Sequence, residues 1–104
     1  MEKLERGGKV AVLVSPGFGA GWSSWADDDQ RDALLMDKEL CTLVDAGNID
    51  GAVTLAKSMF PHFYEGGREG LEVKWLDKGT VFEVEEYDDS ERLHIIGSRS
   101  YHVA

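Results

Sequence analysis

The sequence predicts an α+β domain in which helices pack on one face of a mostly antiparallel sheet. Three observations predict it: an apolar run at residues 9–15, helical apolar spacing within residues 26–60, and alternation of apolar and charged residues within residues 71–95. One strand, then helices, then a run of strands is typical of this class. With 104 residues, we expect one folded domain.

We expect three parts in the chain: a flexible leader at residues 1–8, a single α+β domain at residues 9–96, and an edge strand or tail at residues 97–104. The domain begins with five consecutive apolar residues, 10–14, of which three are β-branched. A run this short, closed by Pro16, is typical of a strand buried on both faces. We therefore expect it to be the central strand of the sheet.

Two or three helices are predicted after this strand. Leucines at helical spacing give residues 27–46 an apolar face, and Gly47 is placed to end that segment. The charged residues 37–39 leave open whether the segment is one helix or two. Asn48 is expected to cap a further helix, which Pro61 ends.

The period changes to two at Leu71, where three short segments alternate apolar and charged residues. Turns are expected at Asp77-Lys78-Gly79 and at Asp88-Asp89. This pattern predicts a three-stranded antiparallel meander, with one face on the core and one in water. We expect the charged face to lie on the side of the sheet that the helices do not cover.

The formal net charge is −9, from 20 acids and 11 bases. The acids are concentrated in residues 26–50, with a net charge of −6, and in residues 65–91, with a net charge of −7. Such a surface repels phosphates, so we expect no direct binding of nucleic acid and none of an anionic membrane. It attracts a basic protein surface instead. No apolar run approaches the ~20 residues of a membrane-spanning helix.

The densest acidic segment is the acidic hairpin (residues 83–91), with six acids and no base among nine residues. On an exposed strand, alternating carboxylates lie about 7 Å apart, roughly the spacing of DNA phosphates along one strand. An ordinary solvated strand face that discourages edge aggregation is the competing interpretation. The candidate partner-binding residues are Glu83, Glu85, Glu86, Asp88, Asp89 and Glu91.

The second candidate is the Gly/Trp loop (residues 15–25), which leaves the buried strand and enters a helix. Backbone N–H groups at such a place bind anions, and tryptophans stack on bases. The dinucleotide, P-loop and nucleophile-elbow fingerprints all fail here. A turn whose aromatic side chains plug the core edge therefore remains the alternative to a small-ligand pocket. The pocket residues would be Ser15, Gly17, Phe18, Gly19, Gly21, Trp22 and Trp25.

Catalytic and metal-binding patterns are absent from the sequence. Cys41 lies in a largely apolar helix, which predicts a core thiol, and a single cysteine fits a reducing compartment. The histidines at 62, 94 and 102 lack any ligand spacing. We expect no catalytic residue, no metal and no cofactor, and thus no enzyme.

Several segments resemble a group of small acidic proteins from phage and prophage genomes. They are SPGFGAGWSSW at residues 15–25, Tyr64-Glu65-Gly66-Gly67 with Leu71-Glu72-Val73, and GTVFEVEEYDDSE at residues 79–91, in the same order and over about a third of the chain. Where the group usually has Asp-Gly at the turn, this chain has Asp88-Asp89. The resemblance implies a viral gene product acting in the cytoplasm of a host bacterium, and it carries over no catalytic residue.

The leading hypothesis is a non-enzymatic phage protein that binds and modulates or inhibits a host protein with a basic surface. A component of a bacterial defence system is the expected class of target, as for an anti-CRISPR protein. The alternatives are a module that sequesters a nucleotide or another small ligand in the Gly/Trp loop, and a phage structural or morphogenesis protein. Whether the chain forms a homodimer is left open.

Overall fold

The computed structural model describes residues 1–15, 22–23, 26–63, 70–87, 90–95 and 102–104, with the backbone alone for residues 28, 85–87, 90 and 92–95. The elements in chain order are β1 (Glu5–Arg6), β2 (Lys9–Val14), α1 (Asp28–Met36), α2 (Lys38–Asp45), α3 (Ile49–Met59), β3 (Glu72–Asp77), β4 (Val81–Tyr87), β5 (Ser90–Ile95) and β6 (His102–Val103). The mixed α+β class is thereby confirmed. None of the helices in these ranges is long and apolar enough to cross a membrane.

The described strands form two antiparallel sheets, with the orders β1-β2-β3 and β5-β4-β6. The three strands expected in one meander are therefore divided between sheets. β3 pairs along its whole length with β2, so that Lys9 lies opposite Asp77 and Val14 opposite Glu72. β4 and β5 form a hairpin in the second sheet, and β6 pairs with the other side of β4.

Strand β2 is central, as predicted, and its residues from Val10 to Val14 are buried. Ala11 and Leu13 pack in a core formed mainly with α2 and α3. Val10 and Val12 pack on the other side, in a core that includes Phe82 of β4. Alternate residues of β2 thus face the helices on one side and the second sheet on the other. Both faces of β2 are apolar because both are covered.

The segment at residues 27–46 forms two helices, because Asp37 interrupts it. The Asp37 carboxylate accepts hydrogen bonds from two N–H groups in the first turn of α2, each at 3.1 Å. Gly47 has φ +80 and follows α2, as predicted for a C′ glycine. Asn48 caps α3 by accepting the Gly51 N–H at 2.9 Å, so its predicted capping role is confirmed.

Both ends of the described chain belong to the sheets. β1 pairs with β2, and the Ala11 N–H donates to the Leu4 carbonyl at 2.9 Å, so residues 4–6 of the segment expected as a flexible leader are bonded to the first sheet. Near the other end, β6 forms the edge strand that was one of the two expectations for residues 97–104. Ala104 follows it into the second core, at 3% exposure.

Candidate functional site

The register of the β4–β5 pair shows that the acids of the acidic hairpin do not share one face. Glu83 lies opposite His94, whereas Glu91 lies opposite Glu86. Residues directly opposite each other share a face, and faces alternate along a strand. Glu91 therefore lies on the side of the buried Phe82, and Glu83 lies on the other side.

Glu91 is buried, with 1% exposure. Its Oε1 accepts the Ser15 N–H at 3.0 Å, and its Oε2 accepts the Ser23 N–H at 3.2 Å. The Glu91 N–H also donates to the Ser15 carbonyl at 2.8 Å. Charge-assisted hydrogen bonds offset the cost of removing this carboxylate from water. Glu91 is thus a structural residue, and its predicted role in presenting charge to a partner is corrected.

The sequence contains a signal for the burial of Glu91, although a count of charges does not reveal it. Position 91 is in phase with Leu93 and Ile95, the residues whose period-two spacing predicts β5. The same alternation that predicts the strand therefore assigns Glu91 to its apolar face.

Of the other five acids, Glu83 is the one whose side chain the structure describes. It is partly exposed and makes no ion pair or hydrogen bond with any described residue. Glu85 and Glu86 are described by their backbone in β4, where the register sets Arg92 opposite Glu85. Asp88 and Asp89 lie outside the described residues.

Several basic side chains of the described part are paired with acids around the first sheet. Five of them form ion pairs with carboxylates at distances between 2.8 and 3.7 Å. These pairs are Arg6–Asp45, Lys9–Asp77, Lys38–Glu2, Lys74–Glu72 and Lys78–Glu5. None of these five bases pairs with an acid of the acidic hairpin.

Trp22 of the Gly/Trp loop is a core residue. Its side chain has 0% exposure, its indole N–H donates to the Leu34 carbonyl at 2.7 Å, and its ring meets Phe63 edge-on at 4.9 Å between centroids. Because both ring faces are enclosed, it offers no surface on which a base could stack. Ser15 is likewise buried. The other pocket candidates, Gly17, Phe18, Gly19, Gly21 and Trp25, lie outside the described residues.

Cys41 is a buried core thiol, as predicted. Burial, and then the nearby carboxylates of Asp37 and Asp45, raise the pKa of this thiol from 9.0 to about 12. At neutral pH it carries its proton and is a poor nucleophile. In the described ranges, no group of three or more His, Cys, Asp or Glu side chains is arranged to hold a metal ion.

A contact between Asp32 and His102 has no signal in the sequence. The imidazole Nδ1 of His102 is within hydrogen-bond reach of the Asp32 carboxylate, and its ring packs at 5.4 Å from that of Phe82. This contact joins β6 to α1 across 70 residues of sequence. No local spacing signals it, because the two residues are 70 positions apart in the sequence.

The candidate binding surface is therefore the acidic hairpin without Glu91 and without Glu86, which the register places on the same face as Glu91. No family model, no curated protein and no solved structure matches this chain. Its described members, Glu83 and Glu85, lie in β4 on the face opposite Phe82, which packs in the second core.

Proposed function

We propose that this chain is a non-enzymatic protein that binds a basic surface of another protein through the acidic hairpin. The remaining binding residues are Glu83, Glu85, Asp88 and Asp89; Glu86 lies opposite Glu91, on the face of β4 that carries the buried Phe82, and is left out. The observation that carries the proposal is the location of the ion pairs: bases pair with acids around the first sheet, whereas Glu83 has no ion pair with a described residue.

Coulomb's law explains why a cationic protein is the expected partner. Two unit charges at 4 Å interact by about 4 kcal/mol near a protein surface, before the costs of desolvation and ordering. Exposed pairs keep on the order of 1 kcal/mol or less of this. Several carboxylates acting together therefore provide fast, steered association and an affinity that falls with salt.

The resemblance to phage proteins supports a partner in the host bacterium. We propose a host protein that normally holds nucleic acid, with a component of a defence system as the class to test first. A groove that binds phosphates is lined with Lys and Arg, and closely spaced carboxylates are complementary to it. Occupying that groove would inhibit the host protein without any covalent step.

The experiment compares two triple variants that remove the same charge. Glu83→Ser, Glu85→Ser and Asp88→Ser change the acidic hairpin. The matched control carries Asp27→Ser, Asp29→Ser and Glu39→Ser, at three exposed acids that form no ion pair with a described residue. Each immobilised protein is incubated with host lysate at low salt, and the Kd for the captured, purified protein is then measured at about 50 and 500 mM NaCl.

We expect the wild type and the control to capture the same stoichiometric partner and to lose it at high salt. The hairpin variant should bind roughly 100-fold more weakly, since about 1 kcal/mol is lost at each of three charges. Capture of no stoichiometric partner at low salt, or equal affinity of both triple variants, would contradict the proposal. Turnover of a substrate would do so as well.

A further inference from the structure

Ser15 and Ser23, which are eight residues apart in the sequence, donate to one carboxylate. The Ser15 N–H and the Ser23 N–H donate to different oxygens of Glu91, at 3.0 and 3.2 Å. All three residues have 1% exposure or less. Glu91 lies 76 residues from one donor and 68 from the other, so this is a tertiary contact and not a local turn.

Each donor lies in a stretch of backbone that is also held by contacts without Glu91. Ser15 directly follows β2, whose last residue Val14 pairs with Glu72 of β3. Ser23 follows the buried Trp22, and its carbonyl accepts the Ala26 N–H at 3.0 Å. Two N–H groups fixed in this way, in a site closed to water, form a preorganised receptor for an anion.

We infer that the Ser15 and Ser23 N–H groups form a carboxylate-binding site that Glu91 occupies in the intact protein. The ligand class is a small monocarboxylate. Glu91→Ala removes a CH₂ group and the carboxylate, which together have the size of acetate, and leaves both donors in place. Acetamide has nearly the same shape, but it has no charge, and its NH₂ group cannot accept a hydrogen bond. The site is separate from the proposed binding surface, so the two proposals fail independently.

The test asks whether acetate restores the stability of Glu91→Ala. Two readouts detect this: the Tm of thermal unfolding, and the ¹H–¹⁵N resonances of the Ser15 and Ser23 amides. We expect the variant to lose more than about 5 °C in Tm. Sodium acetate should return at least half of this loss and shift both amide resonances, whereas acetamide and NaCl at the same concentrations should not. The wild type and the matched variant Glu83→Ala, which lacks a carboxylate on the other face, should respond to acetate as they do to NaCl.

Three outcomes would overturn the inference: an unchanged Tm for Glu91→Ala, equal rescue by acetamide or NaCl, and amide shifts elsewhere but not at Ser15 and Ser23. If Glu91→Ala does not fold alone, refolding is attempted in formate, acetate and propionate. Recovery of the near-ultraviolet circular dichroism in acetate supports the site, and failure in all three overturns it. A second variant, Glu91→Gln, fills the same space and should therefore be insensitive to acetate; acetate-dependent stabilisation of it would also overturn the inference.

Discussion

Gly51 illustrates how a residue that is unfavourable by propensity is required by its neighbour. It lies in the first turn of α3, where glycine costs about 1 kcal/mol relative to alanine. A Cβ atom at this position would lie 2.5 Å from Nδ2 and 2.9 Å from Oδ1 of Asn48, the residue that caps the helix. Alanine would therefore displace the cap, which is itself worth about 1 kcal/mol.

We predict that Gly51→Ala does not stabilise the wild type, but stabilises an Asn48→Ala variant by about 0.5–1 kcal/mol. In the Asn48→Ala background the side-chain amide of residue 48 is absent, so Gly51→Ala changes only the helix propensity. Urea denaturation of the four proteins gives the coupling energy, expected near 1 kcal/mol. Equal effects of Gly51→Ala in both backgrounds would show that Asn48 does not account for the glycine.

Cys41 makes stability depend on pH in the alkaline range. Its pKa is raised from 9.0 to about 12, mainly by burial. Between these values the unfolded chain binds fewer protons than the folded one, so the free energy of unfolding falls as pH rises. The thiol's contribution is complete below pH 9.0 and is lost towards pH 12.

We predict that the stability difference between the wild type and Cys41→Ala decreases by about 1 kcal/mol from pH 8.5 to pH 10. Subtracting the alanine variant removes the titration of lysines and tyrosines, which both proteins share. Urea unfolding at each pH measures the difference. A difference that stays constant up to pH 10 would mean that the folded thiol titrates as an ordinary one.

At the scale of elements, the sequence predicts where strands and helices lie better than it predicts which strands pair. Leu71, Val73 and Trp75 alternate clearly, and β3 forms there. Alternation fixes the faces of a strand but not its partner, and the turn before β4 leads into another sheet. The sequence does not predict β1, because its two charged residues, Glu5 and Arg6, give no apolar period.

For the candidate site, too, the sequence predicts the strands but not the tertiary contacts. The acidic hairpin follows from composition and period, and the strands β4 and β5 are where the pattern puts them. The burial of Glu91 depends on donors at Ser15 and Ser23, which are distant in sequence, and a count of charges cannot contain them. Local periodicity therefore predicts the two strands that carry the acids, whereas tertiary hydrogen bonds determine which of these acids are buried.

Strand β6 closes the second core, and two neighbouring residues test this. Ala104 has 3% exposure, and its N–H donates to the Thr80 carbonyl at 2.9 Å, whereas Val103 has 40% exposure. We predict that Ala104→Glu lowers the free energy of unfolding by more than about 3 kcal/mol, because it buries a charge. Val103→Glu adds the same group on the outer side and should cost less than about 1 kcal/mol. Equal losses in urea denaturation would mean that β6 does not cover the core.

For the whole molecule, repulsion between like charges competes with the ion pairs of the first sheet. The described fold measures 31 × 29 × 23 Å, and the full chain carries a net charge of −9. Nine charges spread over a sphere of about 16 Å radius in water repel by roughly 10 kcal/mol without salt. The unfolded chain has a radius of gyration of about 30 Å and keeps roughly half of this repulsion, so about 5 kcal/mol opposes folding. The five exposed ion pairs contribute about 0–1 kcal/mol each, and their combined attraction is typically smaller than this.

We therefore predict that NaCl stabilises the wild type. The Debye length falls from about 30 Å at 0.01 M to about 8 Å at 0.15 M, so salt screens repulsion across the whole molecule before it screens contacts at 3 Å. Tm should rise by several degrees over this range, and it should rise less in both triple serine variants, which carry three fewer negative charges. Because self-repulsion depends on net charge, the two variants should respond alike to salt in unfolding although they differ in partner binding. A Tm that falls with salt would show that the ion pairs of the first sheet dominate.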